Sequence, residues 1–246
     1  MLLAVDIGNT NTKFAVFDGD DLISKASIPT PRDQTVDNVY EFLSVNFDET
    51  IENAIVCSVV PEVNEIVFGA VAAEFGVDCR VVQNHDDLGI EIRYEPLADA
   101  GADRLVNVFS AVEKYGSPLI VCSFGTATTI DAINEERVLL GGVIAPGLRT
   151  LSKALHLTTS RLPEVEIEFP DRTIQNTTVE CLQSGIVIGY VEMVDGLIRR
   201  ILGEMSSDAR IIVTGGNAAL VAEHSAHKMT VEPDLLLDGL AKLAQR

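Results

Sequence analysis

The sequence predicts an α/β protein assembled from two halves of like layout, and three observations carry that reading. Strand-like apolar runs alternate with helical ones along residues 1–116, the pattern that produces sheets covered by helices. After Pro118 the order restarts with "LIVCSF" (119–124), the small hydroxylated "GTATT" (125–129), then "IDAI" and "RVLLGGVIAPG" (137–147). No low-complexity linker interrupts the chain. At 246 residues each half is large enough to bury a core, so lobes are expected at 1–116 and 117–246. The halves match in layout more than in residue identity.

In "LLAVDIGNTNTKFAVF" (2–17) two runs of strand formers flank a polar turn, the signal of a β-hairpin. A plain turn needs two or three polar residues, whereas this one carries Asp6, Gly8, Asn9, Thr10, Asn11, Thr12 and Lys13. "IENAIVCSVV" (51–60) reads as a buried strand, and "PEVNEIVFGAVAAEF" (61–75) as a helix with proline at its first position. "CRVVQ" (79–83) is a short strand. Residues 101–116 form a helix with Leu105, Val108, Phe109 and Val112 on one face and Gly116 as its stop. In the second half a helix follows Pro146 and "LPEVEIEFP" (162–170) is extended. A long helix over 178–201 is expected to be interrupted or closely packed at Gly185 and Gly189, with Thr177 and Glu180 as a capping box. "ARIIVTGGN" (209–217) is strand, tight turn and helix start, and "DLLLDGLAKLAQ" closes the second lobe as a helix.

With 47% hydrophobic and 22% charged residues the composition is that of a soluble globular protein. A formal net charge of -19 argues against nucleic acid as a partner, because phosphate backbones are held by clustered Lys and Arg. It does not exclude a small anionic substrate, since the field is screened beyond about 8 Å. No apolar run approaches the roughly 18 residues of a membrane span, and no basic leader precedes the first strand, so cytoplasmic residence is expected. Cys57, Cys79, Cys122 and Cys181 have no Cys-x-x-Cys spacing, and Cys57 and Cys122 read as buried reduced thiols. His224 and His227 share a helical face but lack the companions of a zinc site.

Small residues let a backbone approach phosphate oxygens with its amides turned inward. Asp6, at a strand end, is placed to hold magnesium, and Lys13 to add positive charge at phosphates. Neither a P-loop nor a Rossmann fingerprint is present. One such hairpin alone reads better as a structural β-turn. Joined to the second hairpin at Gly125 and Thr126 and the turn at Gly215 and Gly216, it favours nucleotide binding, in the three-part layout of actin-like kinases.

Seven segments, "DIGNTNTKF", "CSVVP" (57–61), "GADR" (101–104), "FGTATTID" (124–131), "GGVIAPG" (141–147), "TVECLQSG" (178–185) and "TGG" (214–216), occur in an order and spacing that resembles the type III pantothenate kinases. Some members of that family are named Bvg accessory factor homologues. The resemblance covers nearly the whole chain. It implies a duplicated actin-like fold, as in acetate kinase and hexokinase, with two lobes around a nucleotide cleft. It also implies transfer of the γ-phosphoryl group of ATP, with Mg2+, to the primary hydroxyl of pantothenate, the first step of coenzyme A biosynthesis.

By match to the family's motifs, Asp103 is the carboxylate that orients and deprotonates the hydroxyl, and Gly101, Ala102, Arg104, Tyr94 and Thr178 line the pantothenate site. Asp6 serves magnesium. Gly8, Asn9, Thr10, Asn11, Thr12, Lys13, Gly125 and Thr126 serve the ATP phosphates, and Gly215 and Gly216 the adenosine side. Without the match, Asp103 is an acid favoured at a helix N-terminus, Arg104 a surface cation, Tyr94 a packing aromatic and Thr178 a helix-start residue. The resemblance further implies a homodimer with the pantothenate site at its interface.

The chain departs from the family at Ser123, where relatives carry the aspartate that binds an activating K+ or NH4+. Ala15 replaces a common glycine and Thr177 a frequent asparagine. Serine offers a neutral oxygen, so two readings follow: an active kinase with altered cation dependence, or a weakened paralogue acting as the structural or regulatory subunit of a heteromeric kinase. Asp6, Asp103, Arg104 and Thr126 favour the first. A kinase of the same fold acting on a sugar or short acid is the third reading.

Overall fold

The computed structural model describes residues 1–205 and 207–246, in two compact units. In the first, strands β1 (Leu2–Ile7), β2 (Asn11–Asp18) and β3 (Asp21–Pro29) form an antiparallel meander. Helix α1 (Val36–Asn46) leads to β4 (Asn53–Ser58), parallel to β1, and helix α2 (Asn64–Phe75) leads to β5 (Cys79–Val81), parallel to β4. The sheet order is β3-β2-β1-β4-β5.

Local chemistry sets these boundaries. The Thr35 hydroxyl accepts from the Asn38 N–H while Asn38 Oδ1 accepts from the Thr35 N–H, a reciprocal cap on α1. Pro61 opens a short 3-10 turn before α2, which ends at Gly76 with φ 70°. Leu3, Val5, Ile7, Phe14 and Val16 pack with Val39 and Leu43 of α1 and Val67 and Val71 of α2. The strand alternation therefore turns Ala4 and Asp6 to the opposite face.

The two-residue strand β6 (Glu91–Ile92) precedes helix α3 (Ala102–Tyr115). Every residue from Arg104 to Val112 on α3 is buried, so the one-sided face expected from the sequence is corrected to a helix enclosed on all sides.

In the second unit β7 (Leu119–Phe124), β8 (Ala127–Ile133) and β9 (Val138–Pro146) make another antiparallel meander. Helices α4 (Leu148–Thr158) and α5 (Thr178–Met205) follow, then β10 (Arg210–Thr214), parallel to β7. Helix α6 (Ala218–His224) leads to β11 (Met229–Val231), parallel to β10. The order β9-β8-β7-β10-β11 repeats β3-β2-β1-β4-β5, and β6 extends the edge beside β9. The duplication read from the sequence is thus present in the strand topology.

Helix α5 runs to Met205, beyond the expected end, and is continuous through Gly185 and Gly189. Both glycines are exposed, and a Cβ at either would meet nothing within 4 Å, which corrects the close packing expected there. By length and composition α5 is long and apolar enough to cross a membrane, which corrects the expectation that no run approaches a span; its apolar side joins the core, where Val187, Tyr190, Val194 and Ile198 cluster with Ile120, Cys122 and Phe124 of β7. Residues 162–170 pair with no strand, and Val165 N–H instead donates to Ser152 Oγ of α4 at 3.3 Å.

The last helix, α7 (Leu235–Ala244), belongs with the first unit rather than the second lobe. It packs on β1 and β4, with Gly239 against Val106 and Ser110 of α3. An amphipathic helix pattern does not say which sheet it covers, so the sequence could not place it.

Candidate active site

Asp6 is the penultimate residue of β1, beside Lys13 in β2 and Cys57 in β4. Lys13 Nζ lies 3.5 Å from Asp6 Oδ2, and the Asp6 side chain is 13% exposed. Burial pushes this carboxyl up; Lys13 opposes the rise and Asp103 adds to it, leaving it at about 6. Cys57 is fully buried, and burial together with the charges of Asp6 and Asp103 pushes its thiol well up, so it stays neutral. Asp103 is raised by burial, against the pull of the Arg104 N–H and guanidinium. Two carboxylates and a neutral thiol therefore share one end of the first sheet.

A stability prediction follows from Asp6. Its folded-state pKa of about 6 exceeds the ordinary 3.8, so between those values the folded chain holds a proton that the unfolded chain releases. Unfolding free energy should therefore fall as pH rises from about 4 to about 6, by at most about 3 kcal/mol, and stay level above. Urea melts of the ligand-free protein and Asp6→Asn should differ in this slope. Equal slopes would show that Asp6 does not titrate in this way.

The "GADR" segment folds back on itself. Asp103 Oδ1 accepts from the Arg104 N–H at 2.9 Å, and Leu105 N–H donates to the Gly101 carbonyl at 3.2 Å. A Cβ on Gly101 would sit 2.6 Å from Asp103 Oδ1, so glycine is needed for the carboxylate to adopt this position. Ala102 is the first residue of α3. Arg104, 8% exposed, stacks over Tyr94 at 5.2 Å from the ring centroid and donates to its hydroxyl at 3.4 Å. It is a buried cation rather than a surface one.

The first hairpin exposes Asn9, Thr10 and Asn11, while Thr12 is buried. Gly8 N–H donates to the Asn11 carbonyl at 3.1 Å. Thr30, just beyond β3, braces the turn: its N–H donates to the Thr10 carbonyl at 2.9 Å, and its hydroxyl donates to the Gly8 carbonyl and accepts from Thr12 Oγ1. Arg32 Nη2 donates to Asn9 Oδ1 at 3.2 Å, while Nη1 pairs with Glu62. Sequence reasoning missed Thr30 and Arg32. The available signal was a hydroxyl and a cation in "TPR" directly after the third strand.

In the second unit Ser123 holds the penultimate position of β7, equivalent to Asp6 in β1, and Thr129 stands opposite it as Lys13 stands opposite Asp6. The charged pair of one sheet is thus a neutral hydroxyl pair in the other. Gly125 N–H donates to the Ala127 carbonyl at 3.1 Å, and the Thr126 carbonyl accepts from Gly147 N–H at 3.0 Å and Thr150 Oγ1 at 2.6 Å. The 214–217 turn is fastened to the same place, with Asn217 N–H on the Phe124 carbonyl at 3.2 Å. Gly125 and Thr126 are therefore brought together with Gly215 and exposed Gly216. Thr178 stands exposed at the start of α5, and its neighbour Thr177 caps that helix by accepting from Glu180 N–H at 3.3 Å.

Two sheets that share one five-strand order, each with a glycine-containing hairpin after its first strand, define a member of the actin-like ATPase and sugar-kinase fold class. Solved structures agree on the fold. A Baf-family protein from Campylobacter jejuni aligns over 99% of this chain and 97% of its own, with TM-score 0.62 and 18% identity. The ethanolamine utilization protein EutJ from Carboxydothermus hydrogenoformans aligns over 97% and 88%, with TM-score 0.55 and 14% identity.

Sequence relatives are more specific. A family model described as type III pantothenate kinase matches residues 2–200. The type III pantothenate kinase of Desulfatibacillum aliphaticivorans is 40% identical, covering 100% of this chain and 98% of its own length. That of Thermomicrobium roseum is 39% identical, covering 100% and 97%. The chain belongs to the type III pantothenate kinase family.

Proposed function

We propose that this chain transfers the γ-phosphoryl group of ATP to the primary hydroxyl of pantothenate, the first step of coenzyme A biosynthesis. The observation that carries the proposal is the buried, raised carboxyl of Asp103 next to the Asp6–Lys13 pair. Phosphoryl transfer rests on alignment and charge stabilisation, with a carboxylate to receive the hydroxyl proton. Asp103 takes that role. Arg104 and Tyr94, already stacked, hold the substrate's anionic end together with Gly101, Ala102 and Thr178.

The exposed groups of Asn9, Thr10 and Asn11 contact phosphate oxygens, as do Lys13, Gly125 and Thr126, while Gly8, whose N–H is held by the Asn11 carbonyl, lets the backbone approach them. Thr12, turned inward, shapes the loop from beneath. Gly215 and Gly216 leave room for the nucleoside. The charge of Asp103 raises the cost of ionising Asp6, which a divalent cation at Asp6 relieves, so Asp6 fits Mg2+. That ion needs only one or two carboxylates beside phosphates and water, and among the described residues no cage of three or more ligating side chains exists. Bound with ATP, the ion neutralises charge on the transferring group.

Ser123 and Thr129 present neutral oxygens where the first sheet has a charge pair, so dependence on K+ or NH4+ is weak. The exposed apolar side chains Ile144, Leu157, Ile174 and Val179, 50–87% accessible, suit pairing of identical subunits. The protein resides in the cytoplasm. Relatives matching over their full length are kinases by name, and no observation favours a regulatory-subunit reading.

A coupled ADP-release assay with ATP, Mg2+ and pantothenate, run with and without K+, tests the function, and sedimentation of the same preparation tests the dimer. Turnover is expected in both buffers. Ser123→Asp should acquire a K+ response, and an unchanged salt profile would refute the account of that position. Absence of any pantothenate-dependent ADP release from pure protein would overturn the function itself.

A further inference from the structure

Arg32 lies outside all seven motif segments, yet it reaches the first hairpin. The chain leaving β3 is folded against that turn: Arg32 N–H donates to the Thr30 carbonyl at 2.8 Å, Thr30 N–H to the Thr10 carbonyl at 2.9 Å, and the Thr30 hydroxyl to the Gly8 carbonyl. Pro31 between them is buried. The Arg32 guanidinium then divides its donors. Nη2 donates to Asn9 Oδ1 at 3.2 Å, and Nη1 pairs with Glu62 in the short turn after β4. One side chain thereby ties together three connections at the same end of the first sheet: β1–β2, β3–α1 and β4–α2.

The chemistry of the contact fixes an orientation. A carboxamide has an accepting end and a donating end, and an exposed asparagine can turn either one outward. A guanidinium only donates, so the Asn9 atom that meets it is the oxygen. The Nδ2 branch is then turned away from Arg32 and offers two N–H donors. Phosphate oxygens are acceptors, so this is the orientation that suits them, and the flipped amide would set oxygen against oxygen. Glu62 holds the guanidinium from its other side. With Arg32 44% and Glu62 58% exposed, the ion pair adds little to stability. Its consequence is position.

We propose that Arg32 is a positioning residue of the phosphate site: it locks the Asn9 carboxamide with its N–H groups outward, toward the phosphates of a bound nucleotide, and Glu62 keeps Arg32 in place. This rests on the nucleotide half of the kinase reading above and deepens it. Lys13 brings charge to the phosphates, whereas Arg32 acts through the geometry of Asn9.

Isothermal titration of MgATP into the full chain tests this without need of turnover. Both side chains are exposed, so the variants should fold. Asn9→Ala should weaken MgATP about tenfold or more, the loss of a hydrogen bond to a charged group. Arg32→Ala should weaken it about fivefold, the cost of ordering a freed side chain on binding. Arg32→Lys, still only a donor, should bind more tightly than Arg32→Gln, which can also accept. In the Asn9→Ala background all three substitutions at Arg32 should bind alike, because the residue through which Arg32 acts is gone. Wild-type affinity in Arg32→Ala would overturn the proposal, as would equal affinity of Arg32→Lys and Arg32→Gln. A further loss when Arg32→Ala is added to Asn9→Ala would overturn it too, since the guanidinium would then act by its own charge. Wild-type protein that takes up no MgATP overturns the nucleotide reading and the proposal with it. MgATP binding without phosphorylation of pantothenate overturns only the choice of reaction, and the comparison of variants still decides the role of Arg32.

Discussion

Asp103→Asn is expected to lower kcat about a thousandfold or more, the contribution of a positioned proton acceptor, while leaving the dissociation constant for ATP nearly unchanged. The substitution keeps shape and retains an oxygen to accept from the Arg104 N–H, now made at 2.9 Å, so α3 should start as before. What is lost is the capacity to take a proton. The charge of Asp103 also holds the Asp6 carboxyl up, and removing it lets Asp6 ionise more readily. Magnesium binding at Asp6 should therefore not weaken, which separates loss of the base from loss of the metal. Single-turnover kinetics with isothermal titration of MgATP would measure both quantities. Near-normal turnover in Asp103→Asn would remove this carboxylate from the chemistry.

The second large effect is expected at Gly215. Its φ is 94°, and a Cβ there would lie 2.7–2.8 Å from the N, C and O atoms of Phe124. Neither the dihedral nor the strand end can yield cheaply, because the Phe124 carbonyl already holds the Asn217 N–H. Gly215→Ala should cost about 3 kcal/mol and displace the Gly125–Thr126 turn, so that nucleotide affinity falls with it. Gly216→Ala is the internal control: a Cβ there meets nothing within 4 Å and φ is not positive, so its stability should stay within about 0.5 kcal/mol of wild type. Urea denaturation of the pair reads both, and equal midpoints would refute the steric account.

Much of this was legible in the sequence because it lies in local periodicity. The first hairpin, the buried strands around Cys57 and Cys122, the start of α3 beside Asp103 and the turn after β10 all follow from short-range pattern. Properties set by tertiary packing were not legible. Leu105, Val108, Phe109 and Val112 suggest a one-sided helix, yet α3 is enclosed, because partners on its other sides come from distant segments such as α7. Gly185 and Gly189 look like breakers, yet a helix of 28 residues absorbs them where its neighbours hold the apolar face in the core. In the candidate site, motif residues were readable as types. Thr30 and Arg32 became visible only when the fold brought them against the hairpin.

The excursion of β6 into the second sheet and the return of α7 to the first mean that neither unit is a continuous stretch of polypeptide. During synthesis on a ribosome, β1 and β4 leave the exit tunnel with one face bare, and α7, which covers them, is translated long afterwards. Residues 1–116 made alone would expose the surfaces of β1 and β4 that Leu236, Leu240 and Leu243 help to seal. A nonsense codon between residues 234 and 246 therefore damages a segment made long before it.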